Sequence, residues 1–202
     1  MKTRRSLPLI HLIRHGETEW SLNGRHTGVS DIPLTAHGEE QARRLTARLH
    51  GITFSHVISS PRTRARRTCE LAGFAAAMEV DPELREWDYG DFEGRTRAEI
   101  QRERPDWNLF VDGAPGGESP GQVLARATRV VRRLRDLEGA VLIFSHGHFL
   151  RVLAAAWTGI PVVHAQRLGL GTASHGILGF EHARADSPSI SLWNEADASV
   201  SP

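Results

Sequence analysis

The sequence holds one cysteine, Cys69, and one lysine, Lys2. A lone cysteine allows no intramolecular disulfide, which excludes a disulfide-stapled scaffold and fits a reducing compartment. Cys69 falls in a helical stretch and reads as a small core residue. No apolar run approaches the ~20 residues that a membrane span needs. Lys2, Arg4 and Arg5 precede an apolar run over residues 7–13, in outline a signal peptide. That run is short and broken by Pro8 and His11, so no signal is read and the cytoplasm is the expected location. The net charge is +1, so no strong field invites nucleic acid or an anionic membrane. Nearly all positive charge is arginine, which owes more to a GC-rich genome than to anion binding. There is no internal repeat.

What is present is ordinary for a globular chain. Hydrophobic residues make up 40% and charged residues 24% of 202. That length suits a single domain over residues 1–202, with 195–202 as a flexible tail. Strand and helix signals alternate, which predicts an α/β fold. Strands are expected over residues 9–13, 55–59, 140–144, 177–180 and 190–193. A helix over 35–50 carries Ala42, Leu45 and Leu49 on one face. Ser60 and Pro61 read as the N-cap and first residue of a helix reaching about Ala72. Thr96–Glu99 and Ser119–Gln122 are capping-box patterns; the second opens a helix to about Leu137. A last helix spans 148–157.

Two strands end alike. The run Leu9-Ile10-His11-Leu12-Ile13 stops at Arg14-His15-Gly16, and Val141-Leu142-Ile143-Phe144 stops at Ser145-His146-Gly147-His148. Ligands of open α/β sheets bind at the carboxyl ends of strands. A guanidinium beside an imidazole suits a phosphate ester: one grips the anion, and the other can attack or move a proton. Two strands of one design predict one site between them.

Four segments in order carry a family resemblance. They are Arg14-His15-Gly16-Glu17-Thr18, Ser60-Pro61-Arg62-Thr63-Arg64-Ala65, Leu84-Arg85-Glu86 with Tyr89-Gly90 and Glu93-Gly94, and Ser145-His146-Gly147. Over residues 9–182 the chain resembles the histidine phosphatase superfamily, which includes cofactor-dependent phosphoglycerate mutase. The resemblance implies a three-layer αβα sandwich with a mostly parallel sheet. It implies catalytic roles for Arg14, His15, Arg64, Glu86 and His146, with Gly147 against the substrate. Segments such as Thr18-Glu19-Trp20-Ser21 and Arg85-Glu86-Trp87-Asp88-Tyr89-Gly90 are most similar to the sedoheptulose-bisphosphatase branch and bacterial acid phosphatases. By that likeness Ser21, Thr27 and Gly28 line the substrate entrance, and Arg25 is a candidate for holding a remote anionic group.

The chemistry can be argued beside the resemblance. Phosphoryl transfer needs charge neutralisation around three oxygens and an in-line nucleophile. Arg14, Arg64 and a protonated or donor-oriented His146 could surround the oxygens. His15 would attack phosphorus and become a phosphohistidine, and Glu86 would protonate the leaving alkoxide. No metal or other cofactor is then needed. His146 and His148 are a metal-like pair, but two imidazoles do not make a site. His148 is left between a supporting and a substrate-contacting role. Trp107 lies in a stretch that could cover the site. The expected function is a metal-independent phosphomonoesterase acting on sugar phosphates or similar small esters. The alternatives are a phosphoglycerate mutase and a non-catalytic phosphate-binding protein. The expected partner is a small phosphorylated substrate, with a homodimer as an allowed assembly.

Overall fold

The computed structural model describes residues 6–196; Lys2, Arg4, Arg5 and positions 197–202 of the expected tail lie outside them. The chain runs through β1 (Leu9–Arg14), α1 (Glu19–Leu22), α2 (Ala36–Leu49), β2 (Phe54–Ser59), α3 (Thr63–Cys69) and β3 (Met78–Val80). It continues through α4 (Arg97–Glu103), α5 (Leu109–Asp112), α6 (Pro120–Arg135), β4 (Ala140–Ser145), α7 (Gly147–Thr158), β5 (His175–Phe180) and β6 (Pro188–Glu195). The strand order is β3-β2-β4-β1-β5-β6. β3, β2, β4 and β1 run parallel, β5 pairs antiparallel with β1, and β6 pairs antiparallel with β5. The expected mixed α/β architecture with a mostly parallel sheet is the one found.

Side-chain alternation along the strands builds the layers. Ile10, Leu12, Val141 and Ile143 belong to a cluster with α6 and α7 residues such as Val130, Leu134, Phe149 and Trp157. Ile13, Leu142 and Phe144 point the other way, into a cluster with Leu45, Leu49 and Cys69. The near-continuous apolar runs in β1 and β4 are thus central strands covered on both faces. Burial pushes the Cys69 thiol up to about 12, which fits its packing role.

Two expectations need correction. Helix α3 starts at Thr63, with Arg62 as its N-cap, and not at Pro61. The Ser60 hydroxyl accepts from the Arg62 N–H at 3.3 Å, and Asp31 from another segment accepts from both the Thr63 N–H (2.9 Å) and its hydroxyl (2.5 Å). The tail begins later than residue 195, because Glu195 closes β6 opposite His175. Trp107 packs inward: it is 4% exposed, its indole N–H donates to the Gly113 carbonyl at 2.9 Å, and its ring meets His26 edge-on at 5.5 Å. Short elements escaped the sequence pattern, among them α1, α5 and edge strand β3. Among the described residues no helix is long and apolar enough to cross a membrane.

Candidate active site

β1 and β4 are neighbours in register, with Arg14 opposite Ser145. The His15 N–H donates to the Ser145 carbonyl at 2.9 Å, which ties the two strand ends together. Gly16 is needed because the start of α2 presses on the turn after β1. A Cβ on Gly16 would run into the Gly38 carbonyl, and one on Gly38 into Glu17. The strand ends open into a small cleft of about 100 Å³. Its walls are Arg14, His15 and Gly147, then Glu86, Tyr89 and His148, with Ser21, Thr27, Arg151 and Leu170 around the mouth.

His15 is oriented by its own backbone neighbour. Its Nδ1 lies 2.7 Å from the Gly16 carbonyl. A carbonyl only accepts, so Nδ1 carries the proton and Nε2 keeps its lone pair. Burial, then the charges of Arg64 and Arg14, push the imidazole well below its ordinary value, so it stays neutral. Arg14 donates through Nη1 to the Leu170 carbonyl at 2.6 Å. Its Nε is buried and makes no hydrogen bond within the described protein, a donor in want of an acceptor. Burial also draws the Arg14 guanidinium below its usual value, and the Glu86 charge works against that. A bound anion would relieve the same cost.

Glu86 is held at the N-terminus of α7. Its Oε1 accepts from the N–H groups of Trp87 (2.9 Å) and Phe149 (2.8 Å), and Oε2 accepts from His148 N–H at 3.1 Å. Oε1 is saturated, whereas Oε2 keeps a lone pair for a proton. The carboxylate replaces the side-chain cap that His146, the N-cap residue, does not provide. The loop that bears Glu86 is gripped from behind. Arg126 on α6 donates to the carbonyls of Glu83, Arg85 and Glu86, and pairs with Glu118 at 2.7 Å. Burial alone would raise the Glu118 carboxyl, yet the Arg126 fork and the Asp88 N–H hold it below its ordinary value.

Arg64 and His146 are fully buried and are not part of the cleft lining. Arg64 donates through Nε to His146 Nδ1 at 3.2 Å, and its other nitrogens donate to the carbonyls of Ser30, Thr27 and Gly28. Because Nδ1 accepts, the proton of the His146 ring sits on Nε2, 2.7 Å from the Ser60 hydroxyl. Burial, then Arg64, keeps this ring neutral as well. The protonated form of His146 is therefore corrected to a neutral donor, and its donor serves Ser60.

Ser21 and Thr27 line the cleft as expected; Gly28 and Arg25 do not. The Gly28 N–H points to the Glu93 carboxylate at 3.0 Å. Arg25 is spent on the Gly94 carbonyl at 2.7 Å and stands 3.6 Å from Glu99. Sequence reasoning missed Ser60 as a partner of His146. It also missed Arg151 and Leu170, which come from helix and loop positions without a motif. Arg151 is pinned by the carbonyls of Ala165 and Gln166, and its guanidinium lies over the Phe110 ring. Among the described residues no group of three or more His, Cys, Asp or Glu side chains is placed to hold a metal ion.

A neutral imidazole with a free lone pair, beside an underused arginine at paired strand ends, marks a protein built to handle phosphate. The chain belongs to the histidine phosphatase superfamily, branch 1, whose description matches residues 10–196. It is 44% identical over 176 residues to an acid phosphatase of Mycobacterium tuberculosis, covering 85% of this chain and 86% of that one. It is 37% identical over 188 residues to a sedoheptulose 1,7-bisphosphatase of Saccharomyces cerevisiae, covering 77% and 69%. The solved structure of the Mycobacterium tuberculosis open reading frame Rv3214 superposes with a TM-score of 0.88 at 38% identity, covering 93% of this chain and 97% of that one. The class these likenesses define is a phosphoric monoester hydrolase.

Proposed function

We propose that the protein is a metal-independent phosphomonoesterase that hydrolyses sugar phosphates and other small esters through a phosphohistidine on His15. The observation that carries this reading is the His15 tautomer, with Nδ1–H on the Gly16 carbonyl and Nε2 free in the cleft. Nε2 attacks phosphorus as the ester P–O bond breaks, and the Glu86 carboxyl proton passes to the leaving alcohol. The Gly16 carbonyl holds the Nδ1 proton of the charged phosphoimidazole. Water then attacks phosphorus, Glu86 takes its proton, the P–N bond breaks and neutral His15 returns. Arg14 meets the phosphate oxygens directly. Arg64 and His146 stand behind the cleft wall, and the Arg64 charge reaches the phosphate from there. Two guanidiniums supply the positive charge that a metal ion supplies elsewhere.

The test is release of inorganic phosphate from a panel of phosphorylated metabolites, with EDTA present. Undiminished turnover under chelation, and an acid-labile, base-stable phosphate label on His15, support the reading. Loss of activity on chelation, label on another residue, or 3- to 2-phosphoglycerate conversion faster than hydrolysis would overturn it. Because burial and two arginines keep His15 neutral, kcat/KM does not collapse as pH falls through the ordinary imidazole range.

A further inference from the structure

We infer that Tyr89 and His148 form a donor pair that binds a free hydroxyl of the substrate beside its phosphate ester, which selects phosphorylated sugars and polyols. This rests on the phosphatase reading and deepens it. The Tyr89 hydroxyl lies 2.6 Å from His148 Nδ1. Tyr89 is 1% exposed, and burial, then the Glu86 charge, holds its hydroxyl in the protonated form. Burial, then Arg151, holds the His148 ring uncharged. His148 Nδ1 is the one hydrogen-bond partner of the Tyr89 hydroxyl among the described residues, so the phenol proton goes to Nδ1 and the neutral ring then carries its own proton on Nε2.

That ring is fixed and well placed. His26 stacks on it with centroids 6.0 Å apart at 12°, and Phe110 meets it edge-on at 5.5 Å. His26 is itself locked by donation from Nδ1 to the Arg95 carbonyl at 2.7 Å. The backbone N–H of His148 holds Glu86 Oε2, so the ring neighbours the carboxyl that serves the leaving group. Both Tyr89 and His148 line the cleft, and His148 Nε2 makes no hydrogen bond among the described residues. An uncharged donor is a poor match for a phosphate already met by arginine, and a good one for a hydroxyl oxygen. A site built to bind a hydroxyl discriminates strongly against the analogue that lacks it.

The experiment compares kcat/KM for glycerol 3-phosphate and propyl phosphate, which differ only in hydroxyls. The wild type is expected to favour the glycerol ester by about tenfold or more. His148→Leu should bring the ratio near one. His148→Gln, whose amide nitrogen falls near Nε2, should restore part of it, and Tyr89→Phe should give an intermediate ratio. An unchanged ratio in His148→Leu, or no preference in the wild type, overturns the pair. If neither ester is hydrolysed and the metabolite panel also releases no phosphate, the phosphatase reading fails, and nitrogen NMR of the imidazoles still decides the pair. An Nε2–H tautomer for His148, lost or mixed in Tyr89→Phe, supports it; an Nδ1–H tautomer overturns it.

Discussion

The ends of β1 and β4 look alike in sequence and differ in use. His15 faces the cleft with one nitrogen committed to the Gly16 carbonyl and the other free. His146 lies behind the wall with both nitrogens committed, one accepting from Arg64 and the other donating to Ser60. Both rings are neutral, and both are kept so chiefly by burial. What separates the two imidazoles is therefore the number of unclaimed lone pairs: His15 keeps one and His146 none. Charge and burial alone would rank them together.

Substitutions can break or sharpen that contrast. The largest effect is expected from His15→Ala, with turnover lowered at least ~10⁴-fold and the melting temperature little changed, measured by phosphate release and thermal unfolding. A residual rate within tenfold of wild type would remove His15 from the nucleophile's place. His146→Ala should lower kcat by on the order of 10²-fold and also cost about 1–3 kcal/mol of stability, because Arg64 Nε and Ser60 lose a buried partner. Equal kinetic loss in both variants, without destabilisation in the second, would erase the distinction.

Acid probes what the two rings share. Both have folded values well below their unfolded ones, so their stabilisation is full above the ordinary imidazole range and is lost as pH falls from that range toward the folded values. The melting temperature should drop between about pH 7 and about pH 5, with a shallower slope in His146→Asn. A flat profile in the wild type would contradict the neutral, buried assignment. The smallest effect belongs to Ser60→Ala: about 1 kcal/mol of stability, and a change in kcat below about tenfold. A loss matching that of His146→Ala would mean that the hydroxyl, and not the ring, is what Arg64 depends on.

Much of this was legible before any coordinates. Apolar strands with abrupt polar ends marked Arg14, His15 and His146, because strand periodicity and the strand-end rule act locally. Glu86 was legible through its surrounding segment. Ser60 was legible only as a local cap: nothing nearby in sequence says that an imidazole 86 residues away also donates to its hydroxyl, or that Asp31 takes the Thr63 N–H at the start of α3. Arg25 had the right chemistry for an anion, but the Gly94 carbonyl claims its guanidinium. Strand β3, three residues with Glu79 at its centre, is too short to show a period and exists through its parallel pairing to β2.

Glu86 and His15 hang from different supports. His15 rests on β1, β4 and the start of α2, whereas the loop bearing Glu86 is moored to Arg126 and Glu118 on the far side of the sheet. Unfastening that mooring, for instance by Arg126→Leu, should leave vanadate binding while turnover falls, which titration against the wild type would read. Binding and turnover then stand on separate footings, and an exchange beneath the loop is expected to cost the second before the first.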